Sequence, residues 1–418
     1  MKSEDRSDSY LGRFWLPSSG ESTGVPGVLD IGEDDVVLRL EGGLSPSGRV
    51  ADVVVFGRLH GTPDTATLIN CFSSTWTGIT GVLTSKVSAT LVGLGTLSES
   101  LGGTVIQFRL EGCAAWFQEK NFDYDLGEGS EVIVMFKSFE ITRYPVSGSL
   151  TVERYYAASI PSGWGEEEFH SERPMRFRIV SEQRLDFDDL WDCMSHLRRF
   201  FEFLSQRSMP HAEIALFDNR DLSDGIPDIQ IRHTSVHKHK RERGRRVDHL
   251  VPFDEIRDRF PSMLVHWFQL KEDRPEPLSR YFAAFDRDSS DPILYFLWNI
   301  AALEELHKLR TTRRTGESFN LLGRLKDLRS RWRIAFQPEP SDETLISIRD
   351  TRNYYAHAAG DLRTKAAKDW HLLRYGHFLA ALSNLEMLAL LGLSDDDVIR
   401  LADRYWMRDA LALRTFPD

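Results

Sequence analysis

The period of the apolar residues changes along this chain. Between residues 10 and 160 they come in short β-branched runs. Examples are Val36-Val37-Leu38-Arg39-Leu40, Val53-Val54-Val55-Phe56, Thr104-Val105-Ile106-Gln107-Phe108 and Glu131-Val132-Ile133-Val134-Met135-Phe136. Gly and Pro punctuate them at Gly24, Pro26, Gly42-Gly43, Pro46, Gly57, Gly61 and Gly102-Gly103. Branched side chains suit an extended, pleated backbone, and Gly and Pro suit its turns. The region therefore predicts many short strands, arranged as a sandwich or a strongly bent sheet.

From 161 to 285 the pattern is mixed. Leu190, Met194, Leu197 and Phe201 recur at steps of three and four, which predicts a helix over 186–204. A second helix is expected over 254–270, interrupted by Pro261. After 286 the helical period dominates. Asp291-Pro292 is a start signal, with Asp as cap and Pro in the first turn, and its helix runs to about Arg310. Further helices are expected from Phe319 to Trp332, from Ser341 through His357 with Gly360 as the stop, from Thr364 to Leu391, and from Asp395 to Leu413, the last as a short closing pair or a single helix. The expectation is an α+β protein in three parts. Residues 10–160 form a β-rich, sandwich-like domain. Residues 161–285 are a mixed α/β region completing that N-terminal module. Residues 286–418 are a C-terminal antiparallel helical bundle.

Composition narrows the function classes. No stretch approaches the roughly 20 apolar residues of a membrane span, and the polar opening MKSEDRSDSY lacks the apolar core of a secretory leader. A cytoplasmic protein without membrane contact is the expectation. Cys71, Cys113 and Cys193 are far apart, which argues against a disulfide framework or a thiolate zinc site. His237 and His239 have no carboxylate pair at ligand spacing beside them, so no metal and no cofactor are expected. The net charge of −11 argues against coating nucleic acid by bulk electrostatics. Yet residues 305–375 hold 15 Lys and Arg against 9 Asp and Glu. That local excess suits a polyanion, as it equally suits solvated helix faces. Lys238 and Arg241, in the run 237–246, Arg313 and Arg314, in the connection 311–316, and Arg349 are candidate RNA contacts.

One constellation carries chemistry: Arg352-Asn353-Tyr354-Tyr355-Ala356-His357. On a helix, Asn353 and His357 are about 40° apart, whereas Arg352 is about 140° from His357 and must reach round. Asn353 can fix the imidazole tautomer. An imidazole suits proton transfer at a ribose 2′-OH, and a guanidinium suits phosphate oxygens through its planar fork. RNA brings its own nucleophile, so such a pair needs no metal. Arg349, eight residues before His357, competes for the Arg role. Glu304 falls in the stripe Ile293, Leu297, Ile300; it can hold Arg352, orient His357, or form a structural ion pair. Arg352 and His357 can also be a surface pair, with His357 favourably placed against the helix dipole.

The Arg352/Asn353/His357 spacing resembles the HEPN signature, in which Arg and His are four to six residues apart and Asn often follows the Arg. That likeness selects Arg352 over Arg349. It implies a metal-independent ribonuclease leaving a 2′,3′-cyclic phosphate and a 5′-hydroxyl, and a homodimer through the HEPN domain. At the other end, Gly12-Arg13-Phe14-Trp15-Leu16-Pro17, Pro26-Gly27-Val28-Leu29-Asp30-Ile31, Leu59-His60-Gly61-Thr62, Thr67-Leu68-Ile69-Asn70-Cys71 and Ala115-Trp116-Phe117 resemble the ApeA-type abortive-infection proteins. This second likeness spans nearly the whole chain. It implies an anti-phage effector, a phage protein as trigger and tRNA as substrate. The competing expectation is a non-catalytic HEPN interaction module with a ligand- or protein-sensing β domain.

Overall fold

The computed structural model describes residues 8–32, 35–45, 50–51, 53–61, 63–79, 82–117, 122–126, 132–136, 141–156, 175–218, 227–233, 249–286, 290–312 and 320–413. By its internal contacts the chain divides into two units. The first comprises Met1–Glu202 and Arg207–Arg246, the second Phe203–Gln206 and Val247–Asp418.

The first unit is built on strands β1 (Asp8–Trp15), β2 (Val25–Ile31), β3 (Val36–Leu40), β4 (Val53–Leu59), β5 (Thr65–Ile79), β6 (Val82–Ala89), β7 (Leu91–Leu94) and β8 (Gly102–Leu110). The short helix α1 (Cys113–Phe117) follows, then β9 (Phe122–Leu126), β10 (Val132–Phe136), β11 (Thr142–Pro145), β12 (Leu150–Tyr156) and β13 (Met175–Asp186). Helix α2 (Phe187–Ser205), β14 (His211–Phe217) and β15 (Ile229–His233) complete the set. Strands β9 and β10 pair with each other; the other thirteen form one sheet, in the order β11-β12-β13-β8-β14-β15-β7-β5-β4-β1-β2-β3-β6. Because β6 also pairs with β5, six of these strands close a barrel.

This corrects the sandwich-like expectation, and β5 supplies the reason. Its first half pairs with β4 and β7, while its second half pairs with β6. The two halves are separated by a left-handed residue, Asn70 (φ 53°), and by a register shift between Ser73 and Thr75. A bulge of this kind bends a long strand, so one strand serves two neighbours on the same edge. Phe14, Leu29, Leu38, Val55 and Leu68 fill the interior and are fully buried. Phe14 lies against its cross-strand partner Gly57, where a β-carbon would come within 2.6 Å of the ring. The predicted face of α2 is also buried: Phe201 packs 5.6 Å from Trp116 and 5.1 Å from Phe177.

Among the described residues the second unit is helical throughout. It contains α3 (Phe253–Ile256), α4 (Phe260–Asp273), α5 (Pro275–Phe285), α6 (Pro292–Thr312), α7 (Leu321–Arg331), α8 (Asp342–His357), α9 (Asp369–Leu390), α10 (Asp395–Ala402) and α11 (Tyr405–Leu411). Pro261 lies in the first turn of α4, where no N–H is needed, so it begins a helix instead of interrupting one. Asp291 caps α6 by accepting from the Ile293 and Leu294 amides, at 3.0 Å each. Ser341 caps α8 through the Thr344 amide.

Three expectations are corrected here. Helix α8 stops at Ala358, not Gly360, because Ala358 takes the left-handed conformation (φ 50°, ψ 38°). Helix α9 begins at Asp369, not Thr364, since residues 360–362 form a separate 3-10 turn. The bundle is also not wholly antiparallel. Tyr295 meets His377 and Arg310 meets Glu386, so α6 and α9 run in the same direction. Helix α7 has only 11 residues and stays beside the last turns of α6, where Asp327 bonds His307. It adds no full-length leg. Helix α8 is therefore the return leg, and α9 runs back alongside α6. Gly376 permits their close approach, as a β-carbon there would lie 2.5 Å from the Tyr295 ring.

Candidate active site

Arg352 and His357 meet. The last two turns of α8 carry both, and Arg352 Nη1 lies 2.6 Å from His357 Nε2. The 140° between their directions is spanned by the long arginine side chain. A guanidinium has only donors, so Nε2 accepts, and the neutral imidazole carries its proton on Nδ1. His357 is exposed at the helix end, while the Arg352 side chain is about one quarter exposed.

Two further groups hold the guanidinium. Glu304, on α6, places Oε2 at 3.6 Å from Arg352 Nη2. Asn353 Oδ1 accepts from Arg352 Nη1 at 3.3 Å. Glu304 thus faces Arg352, and Asn353 faces Arg352 although it shares a helix face with His357. Arg349 is turned away: both its contacting nitrogens donate to Asp350, at 2.6 and 2.8 Å. Lys238, Arg241, Arg313 and Arg314 lie outside the described residues.

Several side chains steady these elements without having been evident beforehand. The Thr351 hydroxyl accepts from the Ala367 amide at 2.9 Å, and the Tyr355 hydroxyl donates to the Ala367 carbonyl at 3.2 Å. Together they fasten the connector between α8 and α9 beside Arg352. Deeper in the bundle, Glu386 on α9 is fully buried. It accepts from Arg310 (2.8 Å), Arg331 (3.0 Å) and the Trp332 indole (2.8 Å). Asp327 bonds His307 and Arg310 in the same network. Burial alone would raise the Asp327 carboxyl, but hydrogen bonds from Arg310 and His307 outweigh it and hold it below its ordinary range. This network fixes α6, the helix that carries Glu304, against α7 and α9. The available signal was an acidic residue, Glu386, inside the long apolar stretch of α9.

Chemically, the cluster offers a charged guanidinium for an anion and an imidazole nitrogen that can take a proton. Among the described residues no group of three or more His, Cys, Asp or Glu is gathered to hold a metal ion. Nor is any helix among them long and apolar enough to cross a membrane.

Residues 9–267 match the family model described as ApeA N-terminal domain 1. The chain belongs to the ApeA family. No curated protein and no solved structure matches it. The ApeA match begins at the second residue of β1, runs through the remaining strands of the β-rich unit and ends within α4. Glu304, Arg352, Asn353 and His357 all lie beyond it, so family membership and the arginine–histidine cluster are independent observations.

Proposed function

We propose that this ApeA-family protein is a metal-independent HEPN endoribonuclease that acts as a toxic effector in anti-phage abortive infection, with tRNA as its substrate. Family membership is consistent with anti-phage defence. The single observation that carries the nuclease reading is the 2.6 Å approach of Arg352 to His357, with Glu304 behind the arginine.

In this reading a phosphate draws Arg352 off the imidazole, because a bidentate, charge-assisted contact is stronger than a bond to a neutral ring. That exchange frees Nε2. The imidazole then takes the proton of the ribose 2′-OH, O2′ bonds to phosphorus, and the P–O5′ bond breaks. The proton on the imidazolium passes to O5′. The products are a 2′,3′-cyclic phosphate and a 5′-hydroxyl. Arg352 neutralises the charge growing on the phosphoryl oxygens, and Glu304 and Asn353 position Arg352. A homodimer through the helical unit, a phage protein as trigger and action in the cytoplasm belong to the same proposal.

The test is sequencing of RNA ends, with their chemistry, after induction in phage-challenged cells. Wild type should give 2′,3′-cyclic ends at defined tRNA positions. Removing the proton acceptor with His357→Ala should lower cleavage by about 10²–10⁴-fold. Equal toxicity and equal RNA ends for the two proteins would sink the nuclease reading in favour of a non-catalytic interaction module.

A further inference from the structure

The connector after His357 carries cations without carboxylate partners. Arg310, Arg329, Arg331, Arg349 and Arg400 each contact a carboxylate. Arg363, Lys365 and Lys368 are exposed and have no ion pair among the described residues. Arg374, on the second turn of α9, is half-buried, and its Nε is enclosed without a hydrogen-bond partner. Four residues before it stands Trp370, 55% exposed. At about 100° per residue, Trp370 and Arg374 share one helix face.

This ledge is tied to the arginine–histidine cluster. Ala367 is bonded through its amide to Thr351 and through its carbonyl to Tyr355. Thr351 precedes Arg352 in sequence, and Tyr355 follows it by three residues, one turn along the same face. Trp370 is three residues past Ala367, so its backbone lies within roughly 11 Å of that anchor. A cavity of about 380 Å³ opens alongside, lined by Tyr355, Lys368, Asp369, Leu372 and Asp291 among others. Its two carboxylates disfavour a phosphate but accept the N–H groups of a base.

We propose that the segment from Arg363 to Arg374 is a platform for single-stranded RNA beside the arginine–histidine cluster. An unpaired base stacks on Trp370, Arg363, Lys365, Lys368 and Arg374 take the flanking phosphates, and a neighbouring base enters the cavity against Tyr355. Aromatic faces interleaved with cations are how proteins hold unstacked strands, since every base has a π-face and every linkage a charge. A duplex hides its bases and gains nothing from the indole. The proposal rests on the ribonuclease reading and restricts its substrate to a loop or other unpaired stretch.

The test is fluorescence anisotropy on the full chain carrying His357→Ala, with fluorescein-labelled 12-nucleotide polyuridylate and an RNA duplex of equal length. The single strand should bind more tightly than the duplex. Adding Trp370→Ala should weaken single-strand binding by about 5- to 150-fold, and Trp370→Phe should restore most of it. Lys365→Gln with Lys368→Gln should flatten the plot of log affinity against log salt, by somewhat under one in slope for each phosphate no longer neutralised. Unchanged affinity in Trp370→Ala overturns the platform. So does a dimer that falls apart in sedimentation while the affinity per protomer holds, because the indole then belongs to a protein interface. Wild type that makes no RNA ends in phage-challenged cells, despite Trp370-dependent binding, refutes the nuclease and leaves the platform standing. Undiminished cleavage by Trp370→Ala in cells refutes the platform alone.

Discussion

The β-rich unit and the helical unit are held together by different atoms. Strands β5, β4, β1, β2, β3 and β6 adhere through their own main chains, so the barrel is closed by backbone hydrogen bonds. Helices satisfy their backbone groups internally except at their ends, so along their lengths they have none to offer a neighbour. Side chains must therefore join α6, α7 and α9, which they do through Arg310, Arg331 and Glu386. The consequence is functional. A barrel tolerates many side chains if its register survives. In the bundle, one carboxylate helps to decide where Glu304 meets Arg352.

The strongest way to test that contrast is Glu386→Ala. It leaves Arg310, Arg331 and the Trp332 indole without their buried acceptor and should cost about 3–5 kcal/mol, read as a lower urea midpoint for the helical signal. An unchanged midpoint would mean that apolar packing alone joins these helices.

The glycines beneath aromatic rings sharpen the comparison. Gly57→Ala pushes a methyl into Phe14 and should cost about 1–3 kcal/mol. Gly376→Ala meets Tyr295 just as closely, but alanine returns up to about 1 kcal/mol of helix propensity. The bundle substitution should therefore be the milder of the two in parallel denaturant curves. The reverse order would place the tighter packing in the bundle.

Acid separates the units further. His211 in β14 is pushed down to about 3, chiefly by burial and then by Arg198. Its folded value lies below its unfolded value, so the unfolded chain takes up a proton first as pH falls. The stability it contributes is complete above about pH 6.5 and diminishes toward pH 3, with roughly 1.4 kcal/mol gone at pH 5.5. His211→Gln should remove that part of the acid dependence from the β-rich unit. His307 in α6 and His377 in α9 are also lowered by burial, but at His307 a hydrogen bond donated to Asp327 opposes the shift. The helical unit should lose less over the same range, and a parallel loss in both units would contradict this difference.

The smallest effect concerns Ala358. A non-glycine residue in the left-handed region costs about 1 kcal/mol, so Ala358→Gly should raise the melting temperature by a few degrees. Lower cleavage in that variant would show that the turn beside His357 must stay rigid.

Much of this was legible in the chain itself. The strand runs at 36–40, 53–56 and 104–108, and residues 132–136 of the run that begins at 131, all fall on strands, and the buried face of α2 follows its spacing. Such patterns are local, because a side chain's face depends on its neighbours in sequence. The Arg352-to-His357 spacing was local too. Other features were not. Asp291-Pro292 and Ser341 announced their helices through cap chemistry, but Ala358 gave no stop signal, because alanine is the best helix former and the least expected left-handed residue.

What the sequence determined by itself is the division into a β-rich region and a helical one, and the proximity of Arg352, Asn353 and His357. What only the tertiary structure decided is how these groups are used. The barrel closes because β5 bends and changes partners. Asn353 turns to Arg352 because the guanidinium, drawn toward Glu304 on another helix, lies within its reach. Trp370 comes near the cluster because Thr351 and Tyr355 hold Ala367. Each of these depends on residues far apart in sequence meeting in space, and no local period encodes such a meeting.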